Sequence, residues 1–312
     1  MIHINAPGQE ENAPSFPEGY EYPNLDQLAE QIHDVIKFYN LKTFIGFGVG
    51  VGANILSRFA LTNSKFVSGL LLINPTSTAS SWSEWFYQKV NVYYLSGSAS
   101  DASFPQSVHN YLMWYHFGKR NQDHSHDLIE MYSSYFSSKS VNPRNLALFI
   151  ESYLKRTDLG LVRNDTKNNF QCPVLLICGA FSPHIEDSIL MTSCIPAEKQ
   201  SWMKLQDCGF VLEEQPGKVA ESLKLHIQGI GYPLTIYERR RSSLRKLSRT
   251  SSISSSVSSS GRDFALLGES KTVLKISEEG DCTVTNGDTS DDKVTVVPAV
   301  DGVHIVENPI QC

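Results

Sequence analysis

Three loops of this sequence are spaced like the loops that carry a catalytic triad, so their side chains decide which chemistry is available. In the first loop, Gly46-Phe47-Gly48-Val49-Gly50 fits the frame G-x-S-x-G, in which a serine nucleophile lies on a tight turn between a strand and a helix. Gly48 occupies the serine position. Because glycine has no side chain, this loop cannot supply a side-chain nucleophile.

The loops expected to hold the acid and the base show the same loss. The acid is expected in the turn Gly179–Pro183, where the sequence has Ser182. The base is expected in the segment Cys208–Pro216, where Gly209 falls on the histidine position. A triad needs a nucleophile, a histidine and an acid that orients it. We therefore predict that Gly48, Ser182 and Gly209 are degenerate, non-catalytic triad positions.

Two other groups of chemically active residues are alternatives. His184 and Asp187 follow the acid loop and could form a displaced dyad, although a lone surface histidine is the simpler interpretation. The segment His124-Ser125-His126-Asp127 has metal-ligand residue types, but histidines two positions apart do not share one face of a helix. We therefore predict no metal site and no cofactor.

The glycine run also fits a dinucleotide-binding loop loosely, with Gly48, Gly50 and Ala53 in the frame G-x-G-x-x-A. That motif needs an acidic residue at the end of the next strand, where this sequence has Asn74. We prefer the interpretation that the glycines allow a positive φ at the turn and close packing of the helix on the sheet.

A framework of strands and helices must position these loops. Apolar runs predict strands at 2–5, at 44–45 leading into the glycine-rich turn, and at 67–74, 174–179 and 201–205. Helical periodicity predicts helices at 24–40, 53–61 and 215–229, the last with a core stripe of Val219, Ala220, Leu223 and Ile227. Strand–helix–strand order implies a parallel sheet, so the predicted fold class is α/β.

Between the third and fourth strands the pattern becomes helical, with segments at roughly 81–95, 105–117, 123–138 and 142–156. These helices are rich in aromatic residues, which we expect to pack over the sheet. The prediction is an α/β-hydrolase-like domain at 1–237 with a helical cap insertion at about 76–170.

The chain changes character after residue 237. Residues 238–262 are basic and serine-rich and residues 263–312 are polar and acid-rich, which predicts a disordered tail. Arginine recurs three positions before serine, a pattern suited to basophilic Ser/Thr kinases. Phosphates would reverse the local charge and switch contact with an anionic membrane or an acidic partner. The candidate sites are Ser242, Ser243, Ser248, Thr250, Ser251, Ser252 and Ser254.

The amino-acid composition argues against several classes of protein. A net charge of -6 argues against nucleic-acid binding, which usually needs a basic face. The six cysteines form no C-x-x-C pair, which suits buried free thiols in a reducing compartment. No apolar run approaches the ~18 residues of a membrane-spanning helix.

Three segments resemble the N-myc downstream-regulated (NDRG) family, over residues 3–233. They are INAPGQEENAPSFPEGYEYPNLDQLAE, FIGFGVGVGANILSRFAL with GLLLINP, and LQDCGF with QPGKVAESLKLHIQGIGYP. The resemblance implies an α/β-hydrolase fold without the triad. It also implies a cytoplasmic protein of stress response, growth control and differentiation, whose serine-rich tail is phosphorylated by basophilic kinases.

On this basis we predict a non-catalytic adaptor or signalling protein with unidentified protein partners and peripheral contact with anionic membranes. A hydrolase with displaced catalytic groups and a small-ligand sensor that uses the pocket under the cap are the alternatives.

Two departures from the NDRG pattern matter. Family members usually carry additional strands before the one that starts this chain, and one of them would lie between residues 2–5 and the elbow strand. We therefore expect unpaired sheet edges and marginal stability. Ala180 replaces a residue that is often acidic in the family, which weakens any residual acid role.

Overall fold

The structure is a computed structural model that describes most of the first 232 residues and a short segment near the C-terminus. All elements below belong to one unit, formed by Met1–Leu234 and Val297–Val306. The basic segment 238–262 and most of segment 263–312 lie outside the described residues. The described ranges are 1–97, 104–118, 126–137, 140–163, 165, 167–232 and 304–306.

A four-stranded parallel sheet forms the centre of this unit, in the order β2-β3-β4-β5. Alternate residues of the two central strands contribute to two separate cores. Leu70 and Leu72 face one core, whereas Leu71 and Ile73 face the other. Burial on both faces explains why these strands read as continuous apolar runs, and the predicted α/β class is confirmed. The strands are β2 (Phe44–Val49), β3 (Val67–Ile73), β4 (Val174–Gly179) and β5 (Gln200–Leu205).

Helices cover the sheet and form the insertion after β3. The four predicted helices of the insertion are present, each with ends within three residues of the predicted ones. The helices are α1 (Leu25–Glu30), α2 (Ile32–Phe38), α3 (Val51–Thr62), α4 (Trp82–Ser96), α5 (Gln106–Phe117), α6 (His126–Ser137), α7 (Pro143–Leu154), α8 (Ile185–Cys194), α9 (Val211–Glu214) and α10 (Pro216–Gly229).

Local sequence determines where the first helices begin and end. The helix predicted at 24–40 exists as two helices that meet at Gln31. Its predicted start is confirmed, because Asn24 and Gln27 form a reciprocal capping box with hydrogen bonds of 2.9 Å.

Two predictions about buried helix faces are wrong. Ala220 is exposed, and Ser222 is buried beside Val219 instead. The expectation that the aromatic residues of the cap pack over the sheet fails for α4, where Trp82 is 80% exposed. In that helix Gln88 and Asn91 are buried beside Val92 and Leu95, so two polar side chains are turned inward while aromatic ones face outward.

The sheet has an open edge at β2, which pairs only with β3 among the described residues. The predicted first strand exists as β1 (His3–Asn5), but it lies outside the main sheet. It pairs in antiparallel fashion with β6 (His304–Val306). The predicted disorder of 263–312 stays a prediction, because only residues 304–306 of that segment are described.

Candidate functional site

The strand-to-helix turn is centred on Gly50, which lies between the end of β2 and the start of α3. Its backbone has φ 53° and ψ -113°, a combination that L-residues rarely adopt. The Gly50 amide donates to the Ile73 carbonyl at 2.9 Å, and its carbonyl accepts from the Asn54 amide at 3.2 Å. The strained position of the elbow is therefore residue 50.

Gly48 lies inside β2, so its predicted place at the nucleophile position is wrong by two residues. The run contains two overlapping G-x-G-x-G frames, 46–50 and 48–52, and only backbone geometry distinguishes them. Gly48 serves packing: a Cβ there would lie 2.7 Å from the Ala53 Cα. The preferred interpretation of the glycine run, positive φ plus close helix packing, is confirmed at Gly50 and Gly48 respectively.

A tyrosine from the cap covers the elbow. Tyr115 lies on α5, and its Oη is 3.0 Å from the position that a Cβ on Gly50 would occupy. The Tyr115 ring makes an edge contact with His184 at 5.1 Å between centroids. Burial raises the pKa of Tyr115 well above its usual value, so the phenol is neutral. A side chain at position 50 would therefore point into space that the cap already fills.

His184 and Asp187 do not pair with each other, so the displaced dyad is not assembled. The Asp187 carboxylate accepts hydrogen bonds from the Ser77 hydroxyl at 2.9 Å and the Thr78 hydroxyl at 3.0 Å. His184 Nε2 is buried and has no hydrogen-bond partner among the described residues. Burial lowers the pKa of His184, which keeps its ring neutral.

The acid loop after β4 is closed by backbone contacts. The Phe181 amide donates to the Cys208 carbonyl at 2.9 Å, which joins this loop to the base loop. Ser182 is 3% exposed, and its hydroxyl accepts from the His184 amide at 3.3 Å. Ser182 is therefore a buried turn residue that organises the entry to α8.

The side chains of Glu214 and Asn74 hold the base loop in place by hydrogen bonds to its backbone. Glu214 accepts hydrogen bonds from the Gly209 and Phe210 amides at 2.8 and 2.7 Å. Asn74, which follows β3 and has a φ of 45°, donates to the Gly209 carbonyl at 3.0 Å and accepts from the Gly179 amide at 3.1 Å. The amide of Asn74 thus ties the acid and base loops together.

The cap packs directly against the base loop. A Cβ on Gly209 would overlap the carbonyl group of Phe117, the last residue of α5. Phe210, 8% exposed, packs against the rings of His116 and Tyr132 at 5.1 and 5.4 Å. No β-carbon, and hence no histidine, fits at position 209 unless the cap moves.

Three of the four described thiols are poor nucleophiles. Cys172, Cys178 and Cys208 are buried and free, as the sequence predicted. Burial raises the pKa of Cys172 to about 11 and that of Cys208 to about 12. Because the thiolate is the reactive form, these three cysteines are not activated nucleophiles.

The remaining predicted site residues are exposed or lie outside the described part of the chain. His126 and Asp127 are exposed in the first turn of α6, whereas His124 and Ser125 are not described. Within the described ranges no three His, Cys, Asp or Glu residues cluster as metal ligands would. The candidate phosphorylation sites, Ser242, Ser243, Ser248, Thr250, Ser251, Ser252 and Ser254, all lie outside the described residues.

Comparison with known proteins assigns the family. The profile of the Ndr family matches residues 1–234. The chain belongs to the Ndr family. It is 38% identical to Protein NDRG3 of Xenopus tropicalis over 239 residues, which cover 74% of this chain and 58% of that protein. It is 36% identical to Protein NDRG2 of Bos taurus over 288 residues, which cover 92% of this chain and 74% of that protein. The chain thus spans less than two thirds of the length of the first relative.

Solved structures establish the fold of this Ndr-family chain. It resembles a thermophilic esterase from Thermogutta terrifontis with a TM-score of 0.59 and 16% identity, covering 72% of this chain and 79% of the esterase. It resembles MenH from S. aureus with a TM-score of 0.56 and 12% identity, covering 73% of this chain and 83% of MenH. The fold is that of the α/β-hydrolases, as predicted. In the described part of the chain, every helix is too short or too polar to cross a bilayer.

Proposed function

We propose that this Ndr-family chain is a non-catalytic adaptor or signalling protein of stress response, growth or differentiation, built on an α/β-hydrolase fold. The proposal rests on the observation that cap residues fill the space at the elbow and at the base loop. Position 50 is a glycine under Tyr115, and position 209 is a glycine under the carbonyl of Phe117. Esterase chemistry needs a nucleophile and a base at these two places.

An activity screen tests the absence of catalysis. The full chain is offered a panel of esters and thioesters and a fluorophosphonate probe that labels activated serines. We expect no turnover above background and no labelling. Turnover or labelling that a His184→Ala change abolishes would overturn the proposal and support a hydrolase with displaced catalytic groups.

Regulation is assigned to the basic tail. Residues 239–249 contain six arginines and lysines, each worth about 1 kcal/mol of attraction at an anionic membrane surface. Each phosphate adds about -1.5 to -2 charges, so about four phosphates reverse the sign of this segment. Basophilic kinases would thereby release the tail from a membrane or an acidic partner. The protein itself is proposed to be cytoplasmic.

Vesicle binding tests this switch. The full chain should co-sediment with phosphatidylserine vesicles but not with phosphatidylcholine vesicles, and treatment with a basophilic kinase should abolish binding. Alanine at the seven candidate positions should make binding insensitive to the kinase. Binding that survives phosphorylation would refute the switch.

A small-ligand sensor is the second candidate, and one observation favours it. His184 Nε2 is buried against Tyr115 without a partner among the described residues, so a ligand that displaces the Tyr115 ring would find one hydrogen bond available there. Native mass spectrometry of the purified chain tests for a co-purifying molecule. A bound molecule lost in His184→Phe would support the sensor.

A further inference from the structure

The outer face of α4 is apolar and aromatic, which is unusual for a surface helix. Trp82, Phe86, Val90 and Tyr93 follow the spacing i, i+4, i+8 and i+11, so they form one strip along the helix. The Trp82 and Phe86 rings stack at 6.1 Å. Exposed fractions are 80% for Trp82, 53% for Phe86, 71% for Tyr87, 40% for Val90, 77% for Tyr93 and 49% for Tyr94.

The opposite face of the helix explains this orientation. Gln88 and Asn91 are 1% and 6% exposed, and they lie with Leu95 on the side of α4 that is buried in the unit. Glu84 is bound to Arg156 at 2.8 Å on the same side. These polar contacts fix the rotation of α4 about its axis, so the aromatic strip cannot turn inward.

The exposed area is large enough for a stable protein interface. Aromatic side chains have 150–250 Å² to bury, so six side chains with these exposed fractions present about 700 Å². The largest apolar patch on a typical monomer is about 300–600 Å². A standard interface buries about 800 Å² on each partner.

The charge of the strip indicates whether it binds a membrane or another protein surface. Lys89 is the only basic residue of α4, and it is bound to Glu151 at 2.8 Å. The strip therefore carries no uncompensated charge. Helices that lie on membranes carry many Lys and Arg residues on the polar face, which α4 lacks. A neutral, self-complementary apolar surface fits a second copy of the same surface.

We propose that α4 is the interface of a homodimer, in which the aromatic strips of two chains pack in antiparallel orientation about a two-fold axis. In such an isologous contact, residue i meets residue j and residue j meets residue i. The centre of the strip lies near residue 88. Trp82 of each chain then meets the Tyr93–Tyr94 end of the other strip, and Phe86 meets Val90.

Sedimentation velocity of the full chain tests the dimer. The protein concentration is varied from about 1 to about 100 μM, which spans the dissociation constants of complexes with moderate affinity. Over this range we expect the mass to rise from 34.8 kDa to twice that value. The double change Phe86→Glu with Tyr93→Glu should keep the chain at the monomer mass. The matched control is Leu225→Glu with Tyr232→Glu, which alters two side chains that are 60% and 45% exposed elsewhere, and it should dimerise normally. Both variants should keep the wild-type circular dichroism spectrum.

A charge-swap experiment separates this interface from general loss of hydrophobicity. Phe86→Lys with Tyr93→Lys should also be monomeric alone, but an equimolar mixture with the double glutamate variant should form a heterodimer. The proposal is overturned by a wild-type monomer at the highest concentration, by a dimer that survives in the glutamate variant, or by aggregation that the variants do not change. Flotation of the wild-type monomer with phosphatidylcholine vesicles, lost in the glutamate variant, would assign the strip to a membrane instead.

Discussion

Replacing Gly209 by alanine is expected to destabilise the domain by about 3 kcal/mol, because the added methyl group meets backbone on the cap side. The new Cβ would overlap the carbonyl group of Phe117. Overpacking a well-packed site costs about 1–3 kcal/mol, and the upper end applies here because neither backbone segment can rotate away as a side chain could. The Glu214 carboxylate also fixes the Gly209 amide from the other side at 2.8 Å.

Gly217→Ala is the matched control. Gly217 lies in the first turn of α10, and a Cβ there meets no heavy atom within 4 Å. Alanine is a better helix former than glycine and lowers the entropy of the unfolded chain, so this change should stabilise the domain by up to about 1 kcal/mol. The two glycine-to-alanine changes should therefore have opposite signs.

Urea unfolding and thermal unfolding, each followed by circular dichroism, measure both variants. In a domain of this size about 1 kcal/mol corresponds to about 2–4 °C in Tm, so Gly209→Ala should lower the Tm by about 6–12 °C. Hydrogen exchange of residues 104–118 reports whether α5 lifts from the loop before the sheet unfolds. If Gly209→Ala proves as stable as Gly217→Ala, the cap does not press on the base loop and the argument for a filled reaction site fails.

Three further changes test the same site. Gly50→Ala should cost about 1–3 kcal/mol of unfolding free energy, because it combines a φ of 53° with a close contact to Tyr115, and adding Tyr115→Phe should recover part of that loss. Phe210→Ala should cost about 3–5 kcal/mol in urea unfolding, since the ring is 8% exposed among cap side chains; no loss would contradict the packing. Burial lowers the pKa of His116 to about 4, compared with about 6.5 in the unfolded chain. Between these two values the unfolded chain binds a proton at His116 that the folded chain does not, so the free energy of unfolding should fall by about 3 kcal/mol as the pH decreases from about 7 to about 4. His116→Phe, which keeps the ring contact with Phe136, should flatten that pH dependence, and an unchanged slope would contradict it.

The sheet and the cap helices could be predicted because their signals are long and repeated. The strands β3 and β4 are continuous apolar runs, and the cap helices have helical periodicity over three or more turns. The residue at the elbow could not be identified from such a pattern. Both frames of the glycine run satisfy the same pattern, and only the φ of Gly50 identifies the elbow.

The orientation of α4 was also beyond the sequence pattern. The aromatic strip of this helix has the spacing of a core-facing surface, so the pattern alone predicts burial of the face that the structure leaves exposed. Which face is buried depends on partners far along the chain, Arg156 for Glu84 and Glu151 for Lys89. The cover over the elbow was missed for the same reason, because nothing local marks Tyr115 as the residue that reaches Gly50.

The glycines of the elbow and the base loop are structurally coupled to the packing of the cap. The C-terminal end of α5 is wedged between the acid and base loops, where Gly118 meets the Phe181 carbonyl and Gly209 meets the Phe117 carbonyl. Each contact needs a residue without a β-carbon on one side. A histidine at position 209 would force α5 away from both loops and would expose the buried rings around Phe210. Building a triad into this chain would therefore require a displaced cap as well as three substitutions, because Gly50 and Gly209 lie where the cap packs.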